Sequence, residues 1–191
     1  MKTIYLLAFA LLLFTNCKED KTEPVVDMAI PEEPKPDTSK KRGKYLVTLM
    51  DCNTCHTPNI MTDNGPQPDM SRLLSGYPSD RPIPEFDGSI VSKGVLFPHP
   101  DLTATIGPWG VSFAGNLTPD DTGIGTWSLD QFKLAMRQGK YKGLEGSRML
   151  LPPMPWQSYA SLTDADVEAI YNYLKSLKPI ENIVPGPIPP K

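Results

Sequence analysis

Apolar positions fall into helical register at three places along this chain. Between Ser39 and Cys55, Gly43, Leu46 or Val47 and Met50 recur at helical spacing, Tyr45 and Leu49 occupy the adjoining face, and Ser39 stands where an N-cap belongs. A glycine inside a helix costs about 1 kcal/mol relative to alanine, so Gly43 marks a place where another helix approaches closely. A second, shorter helix is signalled by Ser128 with Gln131 three residues on, followed by Phe132, Ala135 and Met136 and stopped at Gly139. The third runs from Thr163 to Leu177. Thr163 caps it, Asp164 and Asp166 suit the positive end of its dipole, and Val167, Ile170, Leu174 and Leu177 form one stripe ahead of Pro179.

Residues 57–127 lack such order. A short helix is expected from Pro68 to Gly76, and weak strand signals lie in residues 88–97 around a turn at Lys93-Gly94. So long an irregular stretch inside a compact domain implies a ligand around which it wraps. The 22 prolines and 14 glycines agree with ordered loops and extended tails.

The ends of the chain carry a different pattern. Met1 and Lys2 precede an apolar run from Ile4 to Phe14, which has the build of an export signal and is too short to cross a bilayer. Phe14-Thr15-Asn16-Cys17 resembles a bacterial lipobox, with cleavage after residue 16 and lipid on Cys17. Of three cysteines this leaves one pair, Cys52 and Cys55. The expected organisation is a signal at 1–16, an acidic Pro-rich tether at 17–38, a domain at 39–180 and a Pro-rich tail at 181–191 with nothing to bury. The formal net charge of -3 carries no basic excess of the kind nucleic acid requires.

Chemistry concentrates in "DCNTCHTP", residues 51–58. Three readings compete for Cys52, Cys55 and His56: two thioethers to one haem with the imidazole on its iron, a redox disulfide, or a zinc site. Haem is favoured, because no strand run precedes the motif and His99 is the remaining obvious nitrogen donor. For the sixth iron position the candidates are Met154, stiffened between Pro153 and Pro155, then His99, then Met149, with Met61 and Met70 in the loops after the motif, or an open site.

The stretches "GKYLVTLMDCNTCH", "GNLTPDDTGIGTWSLDQFKLAMRQGK" and "LLPPMPWQSYASLTDADVEAIYNYLKSL" resemble class I c-type cytochromes, above all single-haem relatives of the cytochrome subunits of bacterial membrane dehydrogenases for alcohols and sugar acids. The resemblance implies an all-α cytochrome c fold with few helices around one haem c, long loops and room for a small β-hairpin in the middle. It implies covalent attachment at Cys52 and Cys55, axial ligation by His56 and Met154, packing of the first helix on the last near Gly43, and Asn116, Thr118 and Trp127 at the haem edge or a propionate. The expected function is electron transfer by a carrier rather than an enzyme, lipid-anchored through Cys17 on the periplasmic side of the envelope. Its expected partners are a periplasmic or membrane dehydrogenase and a terminal oxidase or other acceptor. The alternatives are a gas sensor or peroxidase with a labile sixth site, or a fixed electron-conducting subunit of a dehydrogenase. The multi-haem relatives carry three such domains and this chain one.

Overall fold

The computed structural model describes residues 36–83, 85, 91 and 93–190. The expected signal at 1–16, the lipid site Cys17 and the tether up to residue 35 lie outside them. Five α-helices are described: α1 (Lys40–Leu49), α2 (Cys52–His56), α3 (Leu129–Gln138), α4 (Trp156–Tyr159) and α5 (Asp164–Leu174). Five short strands accompany them, so the expectation of an all-α domain is corrected to helices plus two small antiparallel sheets.

The long helices begin where their caps place them. Ser39, Ser128 and Thr163 each accept, through the side-chain oxygen, the amide proton of the residue three positions on: Arg42, Gln131 and Asp166. Gly139 ends α3 with φ 63°, a left-handed conformation that glycine adopts without strain. The first helix is shorter than its apolar periodicity, because Asp51 takes φ 55° and cannot continue it; the chain turns there and restarts as α2. The helix expected from Pro68 shrinks to a single 3-10 turn at Met70–Arg72, opened by Asp69, whose carboxylate accepts from Ser71 N, and blocked beyond by positive φ at Leu74 and Gly76.

The core lies between α1, α3 and α5. Leu46, Val47, Leu74, Ile124, Phe132, Val167, Ile170 and Leu174 are each no more than 5% exposed. Helices α1 and α5 cross at Gly43, where a methyl group would overlap the carbonyl of Ala169 and lie 2.7 Å from Tyr173 Cβ. Arg42 reaches across the same interface to Asp166 at 2.9 Å, and Asn172 donates to Thr38 O at 3.0 Å.

Strands β1 (Asn59–Thr62) and β2 (Gly65–Pro68) form one hairpin. The second sheet is β3 (Phe97–Pro98), β4 (Ala104–Gly107) and β5 (Gly110–Phe113), with β4 joined to β5 through Pro108-Trp109 and registered Gly107↔Gly110 to Ala104↔Phe113. The strand signals at residues 88–97 fall partly outside the described residues; within them Gly94 turns the chain with φ 80°, and the observed strand Phe97–Pro98 pairs forward with β4.

The described part of the tail, residues 181–190, is extended but seated. Val111 N donates to Ile188 O at 2.8 Å and Ile188 N returns the bond at 3.0 Å, while Ile188 packs on Val91, Ile106 and Val111. Asn182 is buried and donates to Ser75 O and Tyr77 O while accepting from Ser79 N. The proline-rich composition concealed this, because one isoleucine and one asparagine suffice to dock the segment. Among the described residues, no helix is long and apolar enough to cross a membrane.

Candidate functional site

The turn at Asp51 presents α2 as a separate short rod carrying Cys52, Cys55 and His56 on successive positions of little more than one helical turn. Its C-terminal end is fastened from two sides. Thr57 Oγ1 accepts from Leu74 N at 3.0 Å, and His56 O accepts from Gly76 N at 2.7 Å. Tyr77 N donates to Ala114 O at 3.0 Å, which draws residues 114–115 against the same place. Gly76 is required for that approach: with φ 79°, any Cβ there would collide with the backbone of Ala114 and Gly115.

The approach aims one carbonyl at one ring nitrogen. His56 Nδ1 lies 2.7 Å from Gly115 O. A carbonyl can only accept, so Nδ1 carries the proton and donates, and the lone pair of a neutral ring is left on Nε2. Burial lowers the basicity of His56, against a smaller upward contribution from the Gly115 bond, so the ring is neutral near pH 7. A neutral imidazole with Nδ1–H committed and Nε2 free is the state in which histidine binds a transition metal.

Burial pushes the Cys52 thiol up to about 11 and raises Cys55 as well, with Asp51 adding to both. Redox cysteine pairs work by the opposite shift, which does not favour the disulfide reading. Among the described residues no three His, Cys, Asp or Glu side chains converge on a common point.

Met154 precedes α4 in "LLPPMPW" and packs, half-buried, on the same apolar core that Cys52 touches. Tyr159, one turn further on, donates to Met50 O at 3.4 Å. Its phenol is pushed up by burial and then by proximity to Cys52, Cys55 and Asp51, so the segment that follows Met154 stands beside the thiols. Leu73, Leu117, Trp127, Met154 and Leu162 contact the core with only part of their surface. Such half-covered apolar side chains, together with two thiols and a free imidazole nitrogen, fit a flat apolar prosthetic group such as haem.

The other expected residues have structural partners. Asn116 is buried and donates to Thr122 Oγ1 and Ile180 O, while its Oδ1 accepts from Thr118 N and Thr118 Oγ1. Thr118 is fully buried and its hydroxyl accepts from Ile180 N. Both are thus engaged in closing the 116–125 loop on the tail. Trp127 packs on the core, and its carbonyl accepts from Tyr171 at 2.8 Å. His99 belongs to a separate cluster: its Nδ1 is 2.6 Å from Asp101 Oδ1, and Asp101 also binds Arg81 and both the amide and hydroxyl of Thr103. Of the basic residues ahead of the Met154 loop, Lys133 and Arg137 pair with Asp164. The roles of Thr57, Gly76 and the Gly115 carbonyl around His56 escaped sequence reasoning, which read Gly76 only as a helix end; the glycines at 76 and 115 were the one visible sign.

No protein-family model matches the chain. Among curated proteins it is 32% identical over 183 residues to the fructose dehydrogenase cytochrome subunit of Gluconobacter japonicus, covering 95% of this chain and 28% of that protein. It is 30% identical over 174 residues to the gluconate 2-dehydrogenase cytochrome c subunit of Pantoea cypripedii, covering 91% of this chain and 28% of that protein. A nicotinate dehydrogenase subunit of Pseudomonas putida is 40% identical over 80 residues, which are 41% of this chain and 6% of that protein. The chain thus spans little more than a quarter of the length of the two cytochrome subunits.

Proposed function

Since the chain is related along most of its length to cytochrome c subunits of bacterial dehydrogenases, we propose that it is an electron-transfer protein carrying one haem c. Cys52 and Cys55 would hold the group through thioethers, and His56 Nε2 and the Met154 thioether would ligate its iron. When bound, the haem supplies a one-electron iron couple.

Everything else is done by the chain. The Gly115 carbonyl keeps the proton on Nδ1 and the ring of His56 in one orientation, so Nε2 remains a ligand in both oxidation states. The apolar shell of Leu73, Leu117, Trp127 and Leu162 excludes water and favours the less charged, reduced state. With His56 and Met154 both held to the iron, oxygen, peroxide or an organic substrate would be denied entry, which would leave single-electron transfer as the activity.

The donor in this reading is a dehydrogenase, and the acceptor a terminal oxidase or another redox protein. Cys17 bears the lipid, and residues 17–38 let the domain stand off a membrane on the periplasmic side of the envelope. Whether the protein shuttles or stays docked on the dehydrogenase is read from what copurifies in mild detergent.

The observation that carries the reading is the His56–Gly115 bond on the same turn as Cys52 and Cys55. The full chain is produced with a haem-ligation system and its intact mass and denatured haem spectrum recorded. One covalent haem is expected, reduced to one thioether in Cys52→Ala. Carbon monoxide should bind the reduced Met154→Ala protein rapidly and the parent slowly. A polypeptide matured without haem, or a parent that takes up carbon monoxide at once, refutes the reading.

A further inference from the structure

The segment Leu151–Met154 is poorly equipped to hold itself in place. Pro152 and Pro153 have no amide proton to give a neighbour, and Met154 N donates within the segment to Leu151 O at 3.3 Å. Among the described residues one side chain hydrogen-bonds to it: Ser112 Oγ, which donates to Pro152 O at 2.6 Å.

That hydroxyl is built into its place. Ser112 lies in the middle of β5 and is 8% exposed. Trp109 Nε1 donates to its oxygen at 3.3 Å, and Thr105 O lies 3.3 Å away. A hydroxyl has one proton, and the much shorter contact to Pro152 takes it. The strand beneath is braced on both edges, by β4 on one and by the mutual Val111–Ile188 bonds on the other. Ser112 therefore couples the middle sheet, and through it the tail, to the carbonyl two residues before Met154.

We propose that Ser112 is a positioning residue for Met154, holding the loop so that the thioether stays on the iron and thereby setting how readily the sixth position opens. This rests on Met154 being the axial ligand. A thioether is a weak neutral ligand, so whether it stays bound depends on how little freedom the loop regains on release. The Ser112 bond removes that freedom at the one carbonyl available between two prolines.

The test uses the full haem-loaded protein and two readouts: the rate at which carbon monoxide enters the reduced form, and amide exchange at Met154. Losing one buried neutral hydrogen bond predicts a carbon monoxide rate about five- to tenfold faster in Ser112→Ala, with faster Met154 exchange. Ser112→Cys, similar in size with a poor donor, behaves the same way, and Ser112→Thr, which keeps the hydroxyl, stays within about twofold of the parent. Met154→Ala sets the rate of an open site. If Ser112→Ala and Ser112→Cys match the parent in both readouts while Met154→Ala is fast, the role of Ser112 is overturned and the axial assignment stands. If Ser112→Thr is as fast as Ser112→Ala, packing and not the hydroxyl holds the loop, and the proposal again fails. A Met154→Ala protein no faster than the parent overturns both.

Discussion

Replacing Gly43 by alanine sets two opposed effects against each other, and the structure decides the sign. In an isolated helix the change is favourable by about 1 kcal/mol, because alanine loses less backbone entropy. Here the new methyl would overlap the Ala169 carbonyl and stand 2.6 Å from Ala169 C and 2.7 Å from Tyr173 Cβ. Two of these atoms are backbone of α5, so no rotamer change relieves the contact, and α1 must move out by roughly 1 Å to reach ordinary carbon–carbon separation. A gap of that size forfeits about a quarter to a half of each dispersion contact across the interface. Leu46, Val47, Val167, Ala169 and Ile170, all nearly fully buried, lose those contacts together. Against the helix gain, the net result is a loss of about 3 kcal/mol, within the range of severe overpacking. For a domain of this size that is a fall in Tm of roughly 6–12 °C. The assay is urea and thermal unfolding of the haem-loaded protein followed by far-UV circular dichroism. Gly186→Ala is the control, since no atom lies within 4 Å of the added methyl, and it should be neutral or slightly stabilising. A Gly43→Ala protein as stable as the parent would show that the helix crossing is not the tight contact described.

Two further substitutions probe buried polar anchors, Asp101 in its own cluster and Asn182 behind the segment that holds His56. Asp101 is almost fully buried; burial pushes its carboxyl up, but hydrogen bonds from Thr103, Arg81 and His99 outweigh this and hold it well below the usual carboxylate range. A depressed folded-state pKa stabilises above the unfolded value and is lost as pH falls through the folded one. Asp101→Asn should therefore cost about 3 kcal/mol at pH 7, with the gap to the parent narrowing as pH drops below about 4 in urea titrations; a gap independent of pH contradicts the assignment. Asn182→Ala leaves Ser75 O, Tyr77 O and Ser79 N without their partner. The expected loss in urea unfolding is about 3 kcal/mol, with faster amide exchange at Gly76 and Tyr77; no change there would mean the tail does not support the segment that clamps His56.

Interactions spanning three or four residues were legible in the order of amino acids. Ser39, Ser128 and Thr163 cap the helices they precede, Gly139 stops α3, and the Cys-x-x-Cys-His spacing places two thiols and an imidazole on one turn, because a side chain that close in sequence has few other places to go. Gly43 belongs here too, since a glycine inside an apolar helix has little reason to exist unless something approaches it. The break at Asp51, the forward pairing of Phe97–Pro98 with β4 and the docking of Ile188 depend instead on segments that meet only when the chain is folded. The same holds for the features that make the site work. His56 meets a carbonyl 59 residues away, and Ser112 meets one 40 residues away. A backbone carbonyl is present at every residue and carries no mark in the sequence. Which one faces the imidazole is decided by the packing of Gly76 against Ala114 and Gly115, a steric condition that exists only in three dimensions.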